Sequence, residues 1–242
     1  MIKAVIFDMG GVLAKICWDS DEIADITEKA LREKGLELPE EFKEVFKKDL
    51  YDAWLEIIET LNELGFEDVI KRTLDKLGVK YSKEQIDYAV EKLEEGPFCH
   101  VDDGVEEVLK TLKEMGLKIG LISNAPGIFP INVLRRYGLD KYMDYMVTSY
   151  QVGVIKPHPK IFKTALEKLN VEPSEAIFVG DTPPIDIKGA KQVGMKTVLV
   201  KDGDPVMRRR GMAKIEDDDS KPDFIIDDLK ELVDIIRKLL KG

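Results

Sequence analysis

The stretch that decides the fold covers residues 3–13, Lys-Ala-Val-Ile-Phe-Asp-Met-Gly-Gly-Val-Leu. Its continuous apolar run at residues 4–7 predicts a strand that is buried on both faces, as strands of parallel sheets are. Asp8 follows at once, and Gly10 and Gly11 then allow a sharp turn with backbone amides open to a ligand. Because ligands of parallel α/β sheets bind at the carboxyl ends of the strands, we expect Asp8 at the mouth of a site. Taken alone, the stretch also allows an ordinary acid at a turn.

The charge balance narrows the classes of partner. The chain of 242 residues has 37 basic and 47 acidic side chains, a formal net charge of −10 at pH 7. This excess of negative charge argues against a general binder of nucleic acid or of an anionic membrane surface. We therefore expect neither a nucleic acid nor a membrane as a partner. The sequence does not indicate the oligomeric state.

The apolar segments and the cysteines indicate the compartment. No apolar run approaches the roughly 20 residues that a membrane span needs, and the start of the chain lacks the long apolar segment of a signal peptide. Cys17 and Cys99 are the two cysteines, and they are too far apart in sequence for a disulfide framework or a metal-ligand motif. These features predict a cytoplasmic protein, and the abundance of lysine and glutamate is typical of thermophiles.

Helical periodicity fills the chain from about residue 20 to about residue 95, without a strand of comparable strength. Helix ends are predicted at Gly35, Gly65 and Gly78, and Ser82 with Gln85 predicts a capping box at the start of the last helix. We expect an all-helical inserted domain over residues 15–96. The domain that it interrupts would then comprise residues 1–14 and 97–242.

Strand and helix patterns alternate in the rest of the chain. Strands are predicted at residues 117–122, 145–149, 176–179, 196–200 and 224–226. This alternation predicts an α/β fold, a doubly wound parallel sheet with helices on both faces. The polar stretch 202–222 predicts a loop, and we interpret its basic run at 208–210 and its acidic run at 216–219 as solvated charges.

Polar side chains end the predicted strands or follow them closely. They are Asp8, Ser123, Asn124, Lys156, Asp181 and Asp186. Because the strand ends converge in a doubly wound sheet, these groups are expected around one pocket. Carboxylates without a neighbouring His or Cys suit Mg²⁺, while a lysine, a hydroxyl and glycine amides suit a phosphoryl group. Asp8 can then serve as a nucleophile that forms an aspartyl-phosphate, with Lys156 keeping it ionised.

These residues resemble the four motifs of the haloacid dehalogenase (HAD) superfamily, most of whose members are Mg²⁺-dependent phosphatases. In the family's order, the motifs are Asp-Met-Gly-Gly-Val at 8–12, Ser123 in Leu-Ile-Ser-Asn, Lys156 in Ile-Lys-Pro-His-Pro, and Gly180-Asp181-Thr182 with Asp186. The resemblance covers residues 2–200 apart from the inserted helices. Those helices resemble the family's C1 cap, which closes over the site and selects the substrate.

The resemblance implies a role for each matching residue. Asp8 is the expected nucleophile, and Ser123 and Lys156 are expected to bind phosphate. Gly11 and Asn124 are further candidates for substrate binding. The Mg²⁺ ligands implied are Asp8, the backbone carbonyl of Gly10, and Asp181, with Asp186 in support.

Gly10 departs from the family pattern. The phosphatases usually have a second Asp there, which protonates the leaving group, and such general acid catalysis is typically worth about 10²–10⁴-fold. The substrate can instead have a good leaving group, as an acyl phosphate does, or another acid such as Asp19, Asp21 or His100 can replace it. Alternatively, the chain is a regulatory phosphate-binding protein with little turnover.

Two further reaction classes stay open as minor alternatives. A haloacid dehalogenase uses the same aspartate chemistry without a metal, and the metal-ligand position at Asp181 argues against it. A phosphonatase uses a cap lysine as a Schiff base, and the candidate lysines are Lys29, Lys34, Lys43, Lys47 and Lys48.

Trp18 lies close enough to the first motif to face the cleft. The sequence as a whole favours a Mg²⁺-dependent phosphatase of a small phosphorylated metabolite.

Overall fold

The computed structural model of the protein describes residues 1–16, 19–96, 99–201, 203 and 221–241. Trp18 and the charge runs at 208–210 and 216–219 lie outside these residues, so their predicted roles stay predictions. None of the described helices is long and apolar enough to cross a bilayer.

The strands of the described chain are β1 Ala4–Phe7, β2 Ala14–Ile16, β3 Cys99–Val101, β4 Lys118–Ser123, β5 Tyr145–Thr148, β6 Ala176–Gly180, β7 Lys196–Val200 and β8 Phe224–Ile226. Six of them form a parallel sheet in the order β5-β4-β1-β6-β7-β8. Phe7 pairs with Leu121 on one side and with Val179 on the other. The residue that follows β1 therefore lies at the middle of the sheet's carboxyl edge.

The helices are α1 Ser20–Glu33, α2 Phe42–Thr60, α3 Phe66–Lys76, α4 Lys83–Glu94, α5 Val105–Glu114, α6 Phe129–Arg136, α7 Ser149–Val152, α8 Pro159–Leu169, α9 Lys188–Gln192 and α10 Glu231–Lys241. Side chains of β1 alternate between two apolar clusters, as the period of a strand requires. Val5 and Phe7 join the cluster that includes α5, α6 and α10, and Ala4 and Ile6 join the cluster that includes α8 and α9. Helices therefore cover both faces, which confirms the predicted α/β fold.

Helices α1–α4, together the helical insert (residues 20–94), lie between β2 and β3. These two strands pair antiparallel, with Lys15 opposite His100. Neither strand was predicted, because three residues are too few to establish an alternating pattern. The predicted domain boundaries at 14/15 and 96/97 stay a prediction.

The helix ends of the insert follow the prediction except at Gly65. Gly35 and Gly78 follow α1 and α3 with φ values of 81° and 67°. Gly65 instead precedes α3 as its N-cap, and α2 ends at Leu61, which has a φ of 57°. A Cβ at Gly65 would lie 2.6 Å from the ring of Tyr150, so a larger residue here would displace that ring.

The capping box at the start of α4 is confirmed. The Ser82 hydroxyl accepts a hydrogen bond from the Gln85 amide, and the Gln85 side chain accepts one from the Ser82 amide at 2.8 Å. Each bond satisfies a backbone donor that the first helical turn leaves without an intrahelical partner.

Candidate active site

Asp8 extends the pairing of β1 by one residue, since its backbone N–H donates to Val179 O at 2.9 Å. Its side chain is 13% exposed and lies at the centre of the carboxyl edge. Gly11 has a φ of 71°, which the turn needs. The Gly11 N–H, however, donates to Ala14 O at 2.9 Å. The expectation that this amide is open to a ligand is therefore wrong, because the turn itself uses the donor.

Lys156 is almost fully buried, with 2% of its side chain exposed. Its Nζ lies 2.6 Å from Asp8 Oδ1 and 2.8 Å from Asp186 Oδ1. The side chain of Asn124 holds the lysine's backbone in place. Asn124 Oδ1 accepts from Lys156 N–H at 2.8 Å, and Asn124 Nδ2 donates to Lys156 O at 3.1 Å. Asn124, predicted to bind substrate, thus supports the lysine segment.

Asp186 is held by backbone amides as well as by the lysine. Its Oδ2 accepts from the N–H groups of Asp181, at 3.1 Å, and Thr182, at 3.0 Å. A Cβ at Gly180 would lie 2.4 Å from Asp186 Cβ, so glycine is required there. Thr182 had no predicted role, but its hydroxyl donates to Asp181 Oδ1 at 3.0 Å. The position of Thr182 directly after Gly180-Asp181 was the feature of the sequence that could have indicated this role.

Ligand atoms of Asp8, Asp181 and Asp186 lie within 4.8 Å of one another, and this group could hold a metal ion. All three offer carboxylate oxygens, the hard donors that suit Mg²⁺. The structure therefore brings together three carboxylates from β1 and from the segment after β6. Ser123, 3% exposed, ends the neighbouring strand β4.

The ionisation of Asp8 depends mainly on burial. The pKa of Asp8 is raised to about 6 from 3.8, mainly by burial; Lys156 lowers it and Asp186 raises it, and the value of about 6 includes both effects. Lys156 favours the ionised form, as expected, and with a pKa of about 6 Asp8 is mostly ionised at pH 7. Burial by itself lowers the pKa of Lys156, but Asp186 and Asp8 outweigh that effect and raise it.

The acids considered as substitutes at Gly10 have partners elsewhere. Asp19 Oδ1 accepts from the Asp21 N–H at 2.8 Å and caps α1, and Asp21 pairs with Lys47 at 2.9 Å. His100 Nδ1 lies 3.1 Å from the Tyr137 hydroxyl. These contacts do not include the Asp8 cluster, and the identity of a substitute acid stays a prediction.

Comparison with known proteins places this arrangement in a family. The sequence model of the haloacid dehalogenase-like hydrolases matches residues 2–194. A glyceraldehyde 3-phosphate phosphatase of Methanopyrus kandleri is 32% identical over 245 residues, covering 100% of both chains. A protein of the same name from Methanocaldococcus jannaschii is 31% identical over 250 residues, also covering 100% of both chains.

Two solved structures share the fold. A 2-haloacid dehalogenase of Pseudomonas syringae superposes with a TM-score of 0.66 at 26% identity, covering 99% of this chain and 100% of its own. A HAD phosphatase of Thermococcus onnurineus gives 0.59 at 26% identity, covering 97% and 98%. These matches confirm the predicted fold class. They also confirm the prediction that the chain is an enzyme, a hydrolase of the phosphatase type. The chain therefore belongs to the haloacid dehalogenase-like hydrolase family.

Proposed function

We propose that the chain is a Mg²⁺-dependent phosphatase that hydrolyses a small phosphorylated metabolite through an aspartyl-phosphate on Asp8. The observation that carries the proposal is the position of Lys156 Nζ between Asp8 and Asp186, with Asp181 in the same carboxylate cluster. A nucleophile beside a buried cation and hard oxygen ligands suits phosphoryl transfer, which depends mainly on positioning and charge.

The reaction has two steps. An oxygen of ionised Asp8 attacks phosphorus, and the phosphoryl group is carried on the Asp8 carboxyl. The leaving oxygen departs with the electron pair of the broken bond and takes up a proton, from solvent unless another residue supplies it. Water then attacks this phosphorus, releasing inorganic phosphate and regenerating Asp8. The Ser123 hydroxyl and a Lys156 N–H bind phosphoryl oxygens, since an ammonium has three donors and two face carboxylates.

The metal ligands follow from the cluster and the resemblance. Asp8, the carbonyl of Gly10 and Asp181 would hold Mg²⁺, and Asp186 supports them by fixing the backbone amides of Asp181 and Thr182. When bound, the ion neutralises charge on the phosphoryl oxygens.

The full-length relatives indicate which substrate to test first. Two proteins named glyceraldehyde 3-phosphate phosphatase match this chain from end to end, and this supports a triose phosphate. We expect Mg²⁺-dependent phosphate release from glyceraldehyde 3-phosphate that disappears in Asp8→Asn. Glycerol phosphate and acetyl phosphate, assayed in parallel, differ in leaving group. Release from acetyl phosphate alone would limit the enzyme to activated phosphates, and release from none would favour a phosphate-binding protein.

Gly10→Asp tests what the missing acid costs. Gly10 lacks the positive φ that Gly11 has, so an Asp is compatible with its backbone conformation. If no other group protonates the leaving oxygen, the variant should raise kcat for glycerol phosphate by about 10²-fold or more. The rate with acetyl phosphate should change little, and Gly10→Asn is the matched control. An unchanged rate with glycerol phosphate would mean that another residue already supplies the proton.

A dehalogenase is the second candidate because a 2-haloacid dehalogenase is among the similar solved structures. That reaction would release halide from 2-chloropropionate without added metal. We expect no halide release, since the carboxylate cluster supports a metal-dependent reaction.

A further inference from the structure

The helical insert contacts the loop between α7 and α8, directly before Lys156. The segment after α2 pairs antiparallel with the segment before Lys156, with Asn62 opposite Val154. Ile155 N–H donates to Leu61 O at 3.0 Å, and Glu63 N–H donates to Gly153 O at 3.1 Å. The insert is thereby hydrogen-bonded to the residues that lead directly into Lys156.

The side chain of Glu63 connects the insert to the second phosphate-binding segment. The Ser149 hydroxyl donates a short hydrogen bond to Glu63 Oε2. The same Ser149 oxygen accepts from the Ala125 N–H at 2.8 Å. Ala125 is the last residue of the segment 123–125, called the turn below, which comprises Ser123 at the end of β4 and the two residues after it. A chain of two hydrogen bonds therefore runs from the insert to this turn, and such bonds strengthen one another.

The Glu63 carboxylate is held in a largely buried position. Burial raises the pKa of Glu63, and the hydrogen bonds from Ser149 and from Leu64 N–H, at 3.1 Å, only partly counter this effect. Burying a carboxylate is unfavourable unless hydrogen bonds satisfy its oxygens. The contact with Ser149 is therefore important to the docked position of this segment.

Apolar packing next to Glu63 keeps the contact closely fitted. The ring of Phe66 lies 6.5 Å from that of Phe129, centroid to centroid. Phe66 N–H donates to Pro126 O at 3.1 Å, adjacent to Ala125. Both rings are at least 98% buried, so the Glu63 segment and the turn are packed as one unit.

We propose that Glu63 is a positioning residue that orients the phosphate-binding turn 123–125 through Ser149. The inference rests on the proposed function, in which Ser123 and Lys156 bind the phosphoryl group. Glu63 acts from the insert and does not touch the reacting atoms. Glu63 holds the Ser149 hydroxyl so that the Ser149 oxygen faces the Ala125 N–H. The position of Ala125 in turn orients Ser123 and Asn124.

The kinetic test compares Glu63→Ala with Glu63→Gln. Loss of a hydrogen bond to a charged group typically weakens an interaction by about tenfold or more, so Glu63→Ala should raise KM for glyceraldehyde 3-phosphate by about that factor. The fall in kcat should be smaller, because a displaced turn weakens substrate and transition-state binding alike. Glu63→Gln should recover most of the affinity, since its amide oxygen still accepts from Ser149.

Glu94→Ala is the matched control. Glu94 is also a buried carboxylate of the insert that contacts the main sheet's loops, but it accepts from the Ile128 N–H, at 2.6 Å, beyond the turn. The KM of Glu94→Ala for glyceraldehyde 3-phosphate should stay close to that of the wild type. If the two alanine variants raise KM equally, general docking of the insert explains the effect and the proposal is overturned.

Amide hydrogen exchange tests the coupling without an activity assay. The Ala125 N–H should exchange about tenfold faster or more in Glu63→Ala, and Ser149→Ala should produce the same change, with no further increase in the double variant. Unchanged exchange at Ala125 in Glu63→Ala would overturn the proposal. If the wild type has no Asp8-dependent turnover, the proposed function fails, and the exchange measurement still decides whether Glu63 positions the turn.

Discussion

Asp8→Asn should abolish turnover and, in the absence of metal, stabilise the protein at pH 7. Asparagine lacks the nucleophilic carboxylate, and loss of a nucleophile reduces kcat by about 10³-fold or more. The amide also removes a buried charge, because burial raises the pKa of Asp8 to about 6 from 3.8. A carboxyl whose pKa is higher in the folded than in the unfolded state favours folding at low pH, and that contribution is lost as the pH rises through about 6.

The gain in the free energy of unfolding expected for Asp8→Asn has a defined size and pH range. At pH 7 the ionised Asp8 costs on the order of 2–3 kcal/mol, so Asp8→Asn should raise the free energy of unfolding by about that amount. The gain should be mostly lost at pH 4, where Asp8 is protonated in the folded state and partly protonated in the unfolded state. The measurement is urea unfolding in EDTA at pH 4 and pH 7, together with phosphate release.

Asp186→Asn is the control for the stability measurement. Asp186 Oδ2 accepts from two backbone amides and Oδ1 faces Lys156 Nζ, so an amide nitrogen would oppose a donor on one side. This variant should destabilise the protein at pH 7. If Asp8→Asn lowers stability to the same extent, the ionised Asp8 is not the unfavourable group that its burial indicates.

Lys156→Met should give the largest loss of stability and a large loss of activity. Methionine preserves the approximate length of the side chain but leaves Asp8 and Asp186 facing each other without the ammonium between them. Breaking a buried ion pair by removing one partner costs about 3–5 kcal/mol. Loss of a charge-stabilising donor in the site should lower kcat by about 10²–10³-fold.

The pH dependence of Lys156→Met identifies the cause. Without the lysine, the pKa of Asp8 should rise further above its already raised value, because burial and Asp186 both raise it. The lost stability should therefore be partly recovered as the pH falls from 7 to 5. Lys141→Met is the control, since Lys141 pairs with Glu106 on the surface at 2.9 Å, and exposed pairs contribute little to stability. A loss independent of pH would point to lost packing instead.

The local patterns of the sequence were sufficient for the sheet and for the residues of the carboxylate cluster. The apolar run at 4–7 ends in Asp8 as predicted, and Lys156, Asp181 and Asp186 meet it at the carboxyl edge. A strand buried on both faces appears in the sequence as a short apolar run. The residues that follow such runs can be predicted to meet, because every parallel sheet brings the carboxyl ends of its strands to one edge.

The hydrogen-bonding roles around the cluster depend on the tertiary structure. Gly11 and Asn124 were predicted to face substrate, but the N–H of Gly11 serves a turn and the side chain of Asn124 holds the backbone of Lys156. Gly65 was predicted at a helix end, and it instead makes room for the ring of Tyr150.

By itself, the sequence determined the alternation of the main-sheet strands with helices, the identity of the four motifs and the position of Asp8 after the first strand. Only the tertiary structure decided the raised pKa of Asp8 and the contact of Glu63 with Ser149, which lies 86 residues away. The physical reason is the range of the forces involved. Periodicity and turn chemistry act between near neighbours in sequence, whereas desolvation and hydrogen bonding across an interface depend on which distant segments pack together.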